Sequence, residues 1–260
     1  MDIKEVIARA DAFQAAGEDG EAEKLLLEAN EKYTEEAPDD VVGQSVLLNE
    51  LGGFYRNRGF FGKGEEAYLR AKDLLEEIRG HAYTVDGPAP APCCCACGGY
   101  VREEAQRHTE IVYTNERMTE NYATTLNNLA GLYRMSGQLQ KAADMFDAAI
   151  KIYEDCGERV SPDHLASGYN NKGLVYLDMQ DADKARAMFL TAKAILERGG
   201  DYRFAFGTTI SNLGFAAILE KKFSEAKERF QEAKALFEES GSSEMARNCE
   251  EMLSRLEAGK

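Results

Sequence analysis

Phe13, Tyr55, Tyr133 and Tyr176, with Ala217 in the fifth place, mark a register that returns along a chain of 260 residues. The intervals between these markers are 42, 78, 43 and 41 residues. Three residues before each stand Ala10, Gly52, Ala130, Gly173 and Gly214, and nine after it Ala22, Gly64, Ala142, Ala185 and Ala226. Four further on come Leu26, Tyr68, Phe146, Phe189 and Phe230, and three beyond those Ala29, Ala71, Ala149, Ala192 and Ala233. Columns confined to Ala and Gly let two helix backbones approach, and a column of large apolar residues fills the space left between them. Turn segments such as "AAGEDG", "NRGFFGKG" and "MSGQ" separate the two halves of a unit, with glycine supplying the helix stop. The register therefore predicts an antiparallel helix pair, repeated about five times.

Each pair leaves apolar surface that only the next pair can cover, so the expected fold class is all-α, a stacked solenoid with a concave face. The closing stretch "SSEMARNCEEMLSRLEAGK" repeats Met245, Cys249, Met252 and Leu256 at helical spacing, which predicts an amphipathic capping helix with Cys249 as a packed thiol. Cys156, near a helix end, has no assigned role. The expected organisation is pairs one and two over 1–79, an insertion over 80–121, pairs three to five over 122–240 and the cap over 241–260.

This pattern resembles the tetratricopeptide repeat over nearly all of the chain outside 80–121. The resemblance implies a right-handed solenoid. The long period, "ATTLNNLAGLY" at 123–133 and "PDHLASGYNNKGLVY" at 162–176 are similar to the kinesin light chain type of repeat. The Asp-His pair ahead of a first helix occurs once, at Asp163 and His164, so the resemblance supports the repeat class and not a motor subunit.

The resemblance also implies that the first helix of each pair lines the concave groove. Nine residues before the marker stand Val46, Thr124, Ser167 and Thr208. Six and five before it stand Asn49 and Glu50, Asn127 and Asn128, Asn170 and Asn171, and Ser211 and Asn212. Positions three and four apart share a helix face, so Thr124, Asn127 and Asn128 form one polar rung. Ser167, Asn170 and Asn171 form the next, and Thr208, Ser211 and Asn212 a third. An Asn amide offers donors and an acceptor, which suits an extended peptide backbone. Arg134, one residue past the marker, would add a carboxylate contact. The same asparagines could instead bridge neighbouring pairs. Some tetratricopeptide proteins clamp a terminal carboxylate between asparagines and basic residues. Asn128 and Asn171 would serve there, but Thr208 and Asn212 stand where that clamp has Lys and Arg. Such a co-chaperone is not expected.

The remaining features exclude more than they assign. With 31 basic against 46 acidic residues, the net charge of -15 repels nucleic acid. No stretch approaches the roughly 18 apolar residues of a membrane span. "MDIKEVIARADAF" lacks a secretory apolar core, so a cytoplasmic location with reduced thiols is expected. His81, His108 and His164 have no nucleophile or carboxylate at a motif spacing, and "GFFGKG" at 59–64 lacks the spacing and the Ser or Thr of a phosphate loop. An enzyme is therefore not expected. The paired carboxylates Glu76 and Glu77, and Glu238 and Glu239, read as solvated faces.

One stretch stands apart, "PAPAPCCCACGG" at 88–99. Pro88, Pro90 and Pro92 forbid a helix there, and the segment falls in the surplus between the second and third markers. Cys94 and Cys97 have a spacing that suits zinc, with His81 or His108 to complete the site. The adjacent thiols of Cys93, Cys94 and Cys95 suit copper(I) instead. An unliganded insert is the third reading. The leading expectation is a non-enzymatic scaffold or adaptor binding a peptide or protein segment in the groove. The alternative is a metal- or redox-responsive regulator working through this loop. Neither reading fixes an oligomeric state.

Overall fold

The computed structural model describes residues 1–83, 119–157, 160–198 and 200–259, and among them every regular element is a helix. The chain falls into two compact units, Met1–Ser136 and Gly137–Lys260. The first holds α1 (Ile3–Ala15), α2 (Asp19–Glu36), α3 (Val41–Asn57), α4 (Phe61–Tyr83) and α5, helical over 119–135. The second holds α6 (Leu139–Cys156), α7 (Pro162–Asp178), α8 (Ala182–Leu196), α9 (Arg203–Leu219), α10 (Phe223–Glu239) and α11 (Ser243–Glu257). Helix α4 runs past the boundary expected at 79, and α5 is in place before 122. The rest of the expected insertion, with Cys93, Cys94, Cys95, Cys97 and His108, lies outside the described residues.

The columns of the register become the cores of the pairs. Ala22, Ala185 and Ala226 are fully buried, as are Phe189 and Phe230, while Leu26 and Tyr68 are nearly so. In the pairs α1–α2, α3–α4, α7–α8 and α9–α10 the large residue lies on the small residue of the first helix. A Cβ added at Gly52 would sit 2.6 Å from the Tyr68 ring, one at Gly214 2.9 Å from Phe230, and one at Gly173 would overlap Phe189. In the first pair the smaller Leu26 is matched to Ala10, and both are buried.

The turn inside each pair reaches left-handed backbone at the same place, four residues after the marker. Gly17, Gly59 and Gly137 have φ of 76°, 77° and 79° there, but Gln180 and Lys221 stand at the same place with φ of 62°. Glycine supplies the stop in three turns, as expected, and an L side chain supplies it in two.

Polar contacts stitch each pair to the next. The Tyr55 hydroxyl on α3 donates to Glu23 on α2 at 2.8 Å, and Tyr133 on α5 donates to Glu65 on α4 at 2.7 Å. Lys63 on α4 joins Glu23 at 2.9 Å. In the second unit Arg186 on α8 takes Glu220, at the end of α9, and Glu225 in the first turn of α10, with Nη contacts of 2.7 and 2.8 Å. The terminal α11 lays Ala246 and Cys249 against α9 and α10, with Met245, Met252 and Leu256 around them. Cys249 is the packed thiol expected, and burial pushes its pKa up.

Candidate functional site

The polar register of the first helices resolves into two clasps built to one plan. In the first unit the Asn49 amide on α3 donates to Thr125 Oγ1 on α5 at 2.8 Å and to the Ser45 carbonyl at 2.8 Å. Its own Oδ1 accepts from Asn128 Nδ2 at 3.1 Å. In the second unit Asn170 on α7 donates to Thr209 Oγ1 on α9 at 2.7 Å and accepts from Asn212 Nδ2 at 3.4 Å. Each threonine hydroxyl donates in turn to a carbonyl one turn back in its own helix, Asn121 or Ala205. Thr125 and Thr209 are fully buried, and Asn170 and Asn212 nearly so. A buried amide must be paired to avoid a desolvation cost, and here the partner is the next repeat.

Asn128, Asn170 and Asn212 thus each make a hydrogen bond to a neighbouring first helix. Thr124, Asn127 and Arg134 on α5 and Asn171 on α7 are partly accessible, Ser167 is exposed, and the half-exposed Thr208 donates to the Phe204 carbonyl at 3.0 Å. Thr125 and Thr209, eight residues before their markers, are the clasp members that sequence reasoning missed. Their recurrence at one offset was the available signal.

The first helices differ sharply two residues before the marker. Gly53 on α3 and Gly131 on α5 stand there in the first unit, Leu174 and Phe215 in the second. Phe215 is 38% exposed and lies edge-on against Phe230, with ring centroids 5.1 Å apart. Arg56 and Arg134, each one residue past its marker, correspond in register to Leu177 and Ile218 of the second unit. Among the described residues no group of three or more His, Cys, Asp or Glu side chains is placed to hold a metal ion. No described helix is long and apolar enough to cross a membrane.

Comparison with known proteins fits this geometry. Two tetratricopeptide repeat family models match the chain, one over residues 123–155 and one over 164–255. No curated protein matches it by sequence. Among solved structures, it is similar to a candidate kinesin light chain of Podosopora anserina with nearly identical TPR-like repeats. That match has 14% identity and a TM-score of 0.58, and it covers 92% of this chain and 96% of that one. BtubC from P. vanneervenii is similar at 15% identity and a TM-score of 0.56, covering 100% of this chain and 92% of that one. The apo form of RapI is similar at 12% identity and a TM-score of 0.63, covering 96% and 75%. At such identities the likeness is one of fold. Residues 123–155 and 164–255 therefore carry tetratricopeptide repeats, and the described fold is all-α and similar to the solenoids of such proteins. Folds of this class typically mediate protein–protein interaction.

Proposed function

We propose that the chain is a non-enzymatic adaptor that holds an extended peptide or protein segment along its first helices. The supporting observation is the division of labour within the polar register. Buried asparagines and threonines lock successive first helices together, and a second set at neighbouring positions keeps access to solvent. Thr124, Asn127 and Arg134 would serve such contacts within the first unit, and Ser167, Asn171 and Thr208 within the second. Asn128, Asn170 and Asn212 act by fixing the spacing of the helices that carry these groups. Amides and hydroxyls suit main-chain recognition, because both can pair with alternating peptide N–H and C=O groups.

The test is selection of binding peptides from a displayed random library on the full chain, followed by measurement against Ser167→Arg and Thr208→Arg. Both positions are accessible, so the long side chains should obstruct the groove without unfolding the protein. Peptides that bind the parent and lose at least about tenfold in both variants, about 1.4 kcal/mol, are expected. Selected peptides indifferent to both substitutions, with thermal unfolding unchanged, would remove the groove from consideration.

A further inference from the structure

The inference concerns a recess in the first unit, and it rests on the groove reading above. Gly53 on α3 and Gly131 on α5 each lack a side chain on a half-accessible helix face. A Cβ built on Gly53 would have a single neighbour within 4 Å, the Tyr68 hydroxyl at 3.6 Å. One built on Gly131 would also have a single neighbour, Arg56 Nη1 at 3.3 Å. The atoms that come nearest to these two positions are thus a phenol hydroxyl and a guanidinium nitrogen, both hydrogen-bond donors.

Tyr68 is the more telling of the two. Its ring is packed on Gly52 and the residue is only 1% exposed, yet among the described residues its hydroxyl has no hydrogen-bond partner. The other pairs have Leu26, Phe146, Phe189 and Phe230 at this place, so packing alone does not require a phenol. Burial pushes Tyr68 up to about 12, so the group is a proton donor at neutral pH. Arg56 makes no salt bridge among the described residues. Its Nε donates to the Asn57 side chain at 3.3 Å, and Nη1 is left over Gly131. Glu50, half-buried on the same helix, is the carboxylate whose charge Arg56 feels, and burial together with Asp11 pushes that carboxyl up.

We propose that this recess receives one acidic side chain of the bound segment, its carboxylate accepting from the Tyr68 hydroxyl and from the Arg56 guanidinium. Two donors, one of them charged, match the two oxygens of a carboxylate. At the same register positions the second unit offers Leu174 and Phe215, so its contribution to recognition is apolar.

The test is a titration of the full chain, followed by NMR at the Gly53 and Gly131 amides, with capped glycine–serine peptides. One carries a single central glutamate, a second has glutamine in its place, and a third is neutral with a free terminal carboxylate. The glutamate peptide should shift both amides and the glutamine peptide should not. Tyr68→Phe should weaken the glutamate peptide about tenfold, the contribution of one hydrogen bond to a charged group. Phe occupies that column in α6, α8 and α10, so the variant should fold, and urea unfolding in parallel verifies it. Gly53→Leu, which copies Leu174, should abolish binding. Equal binding of glutamate and glutamine peptides, binding of the free-terminus peptide alone, or indifference to Tyr68→Phe each overturns the proposal. A selected peptide blocked by Ser167→Arg and Thr208→Arg but indifferent to Tyr68→Phe and Gly53→Leu removes this inference alone and leaves the groove reading standing.

Discussion

Asn170 both donates and accepts across the seam between α7 and α9, so its loss strands two groups at once, the Thr209 oxygen and the Asn212 amide. Asn170→Ala is expected to lower unfolding stability by about 2 kcal/mol in urea titration, since buried groups left without partners carry the desolvation cost. Asn212→Ala removes only the longer 3.4 Å contact and should cost less; the reverse order would show that the clasp is incidental. Charge acts at the same scale. The Arg186 hydrogen bonds, assisted by Lys222, hold the Glu220 carboxyl down at about 2 from its ordinary 4.5. A carboxyl whose pKa is depressed by folding contributes stability above its unfolded pKa and loses it as pH falls toward the folded one. Stability should therefore decline between about pH 4.5 and 2, and Arg186→Met should flatten that part of the profile in acid titration followed by circular dichroism. None of these pairings was legible in the sequence beforehand. Asn170 and Thr209 are 39 residues apart, and composition shows that an amide is present without showing what it holds.

The helix pair was the legible unit. Its core depends on residue size at fixed offsets, and size is read directly from sequence: Gly173 is small because Phe189 is large, and the two face each other in one pair. Gly173→Ala should overpack that crossing by about 1–3 kcal/mol. Combining it with Phe189→Leu should recover part of the loss in a double-mutant cycle; full additivity would mean that the two residues do not share the space. The turns were legible only where glycine marked them. Gln180 and Lys221 adopt the same left-handed backbone as Gly17 and Gly59 because the helices on either side dictate it. Replacing either with glycine relieves a local steric cost at the price of a looser unfolded chain. A net gain of up to about 1 kcal/mol is expected for Gln180→Gly in thermal unfolding.

For the molecule as a whole, the repeat register disclosed the class of fold and the closing helix, because both follow from apolar surface that must be covered. Deleting α11 after Gly241 would uncover its seat against α9 and α10, where Cys249 and Ala246 are buried. The truncated chain should self-associate in sedimentation, since a bare solenoid end is an apolar patch. A monomer of unchanged stability would show that α11 does not cap. The place of the Tyr68 hydroxyl was less legible, because Tyr68 is one aromatic residue among several in its column, and only the structure shows its hydroxyl beside Gly53. The ion pairs between neighbouring helix pairs carry one more implication. In the first seam the acid is on the leading pair and the base on the following one, Glu23 with Lys63. In the last seam the same two places are reversed, Arg186 with Glu225. A chain rearranged to set the α9–α10 pair directly after α1–α2 would bring Glu23 against Glu225, two like charges. The pairs are thus not interchangeable modules. These two seams each read their neighbour's sign, and the places of their helix pairs are written into them.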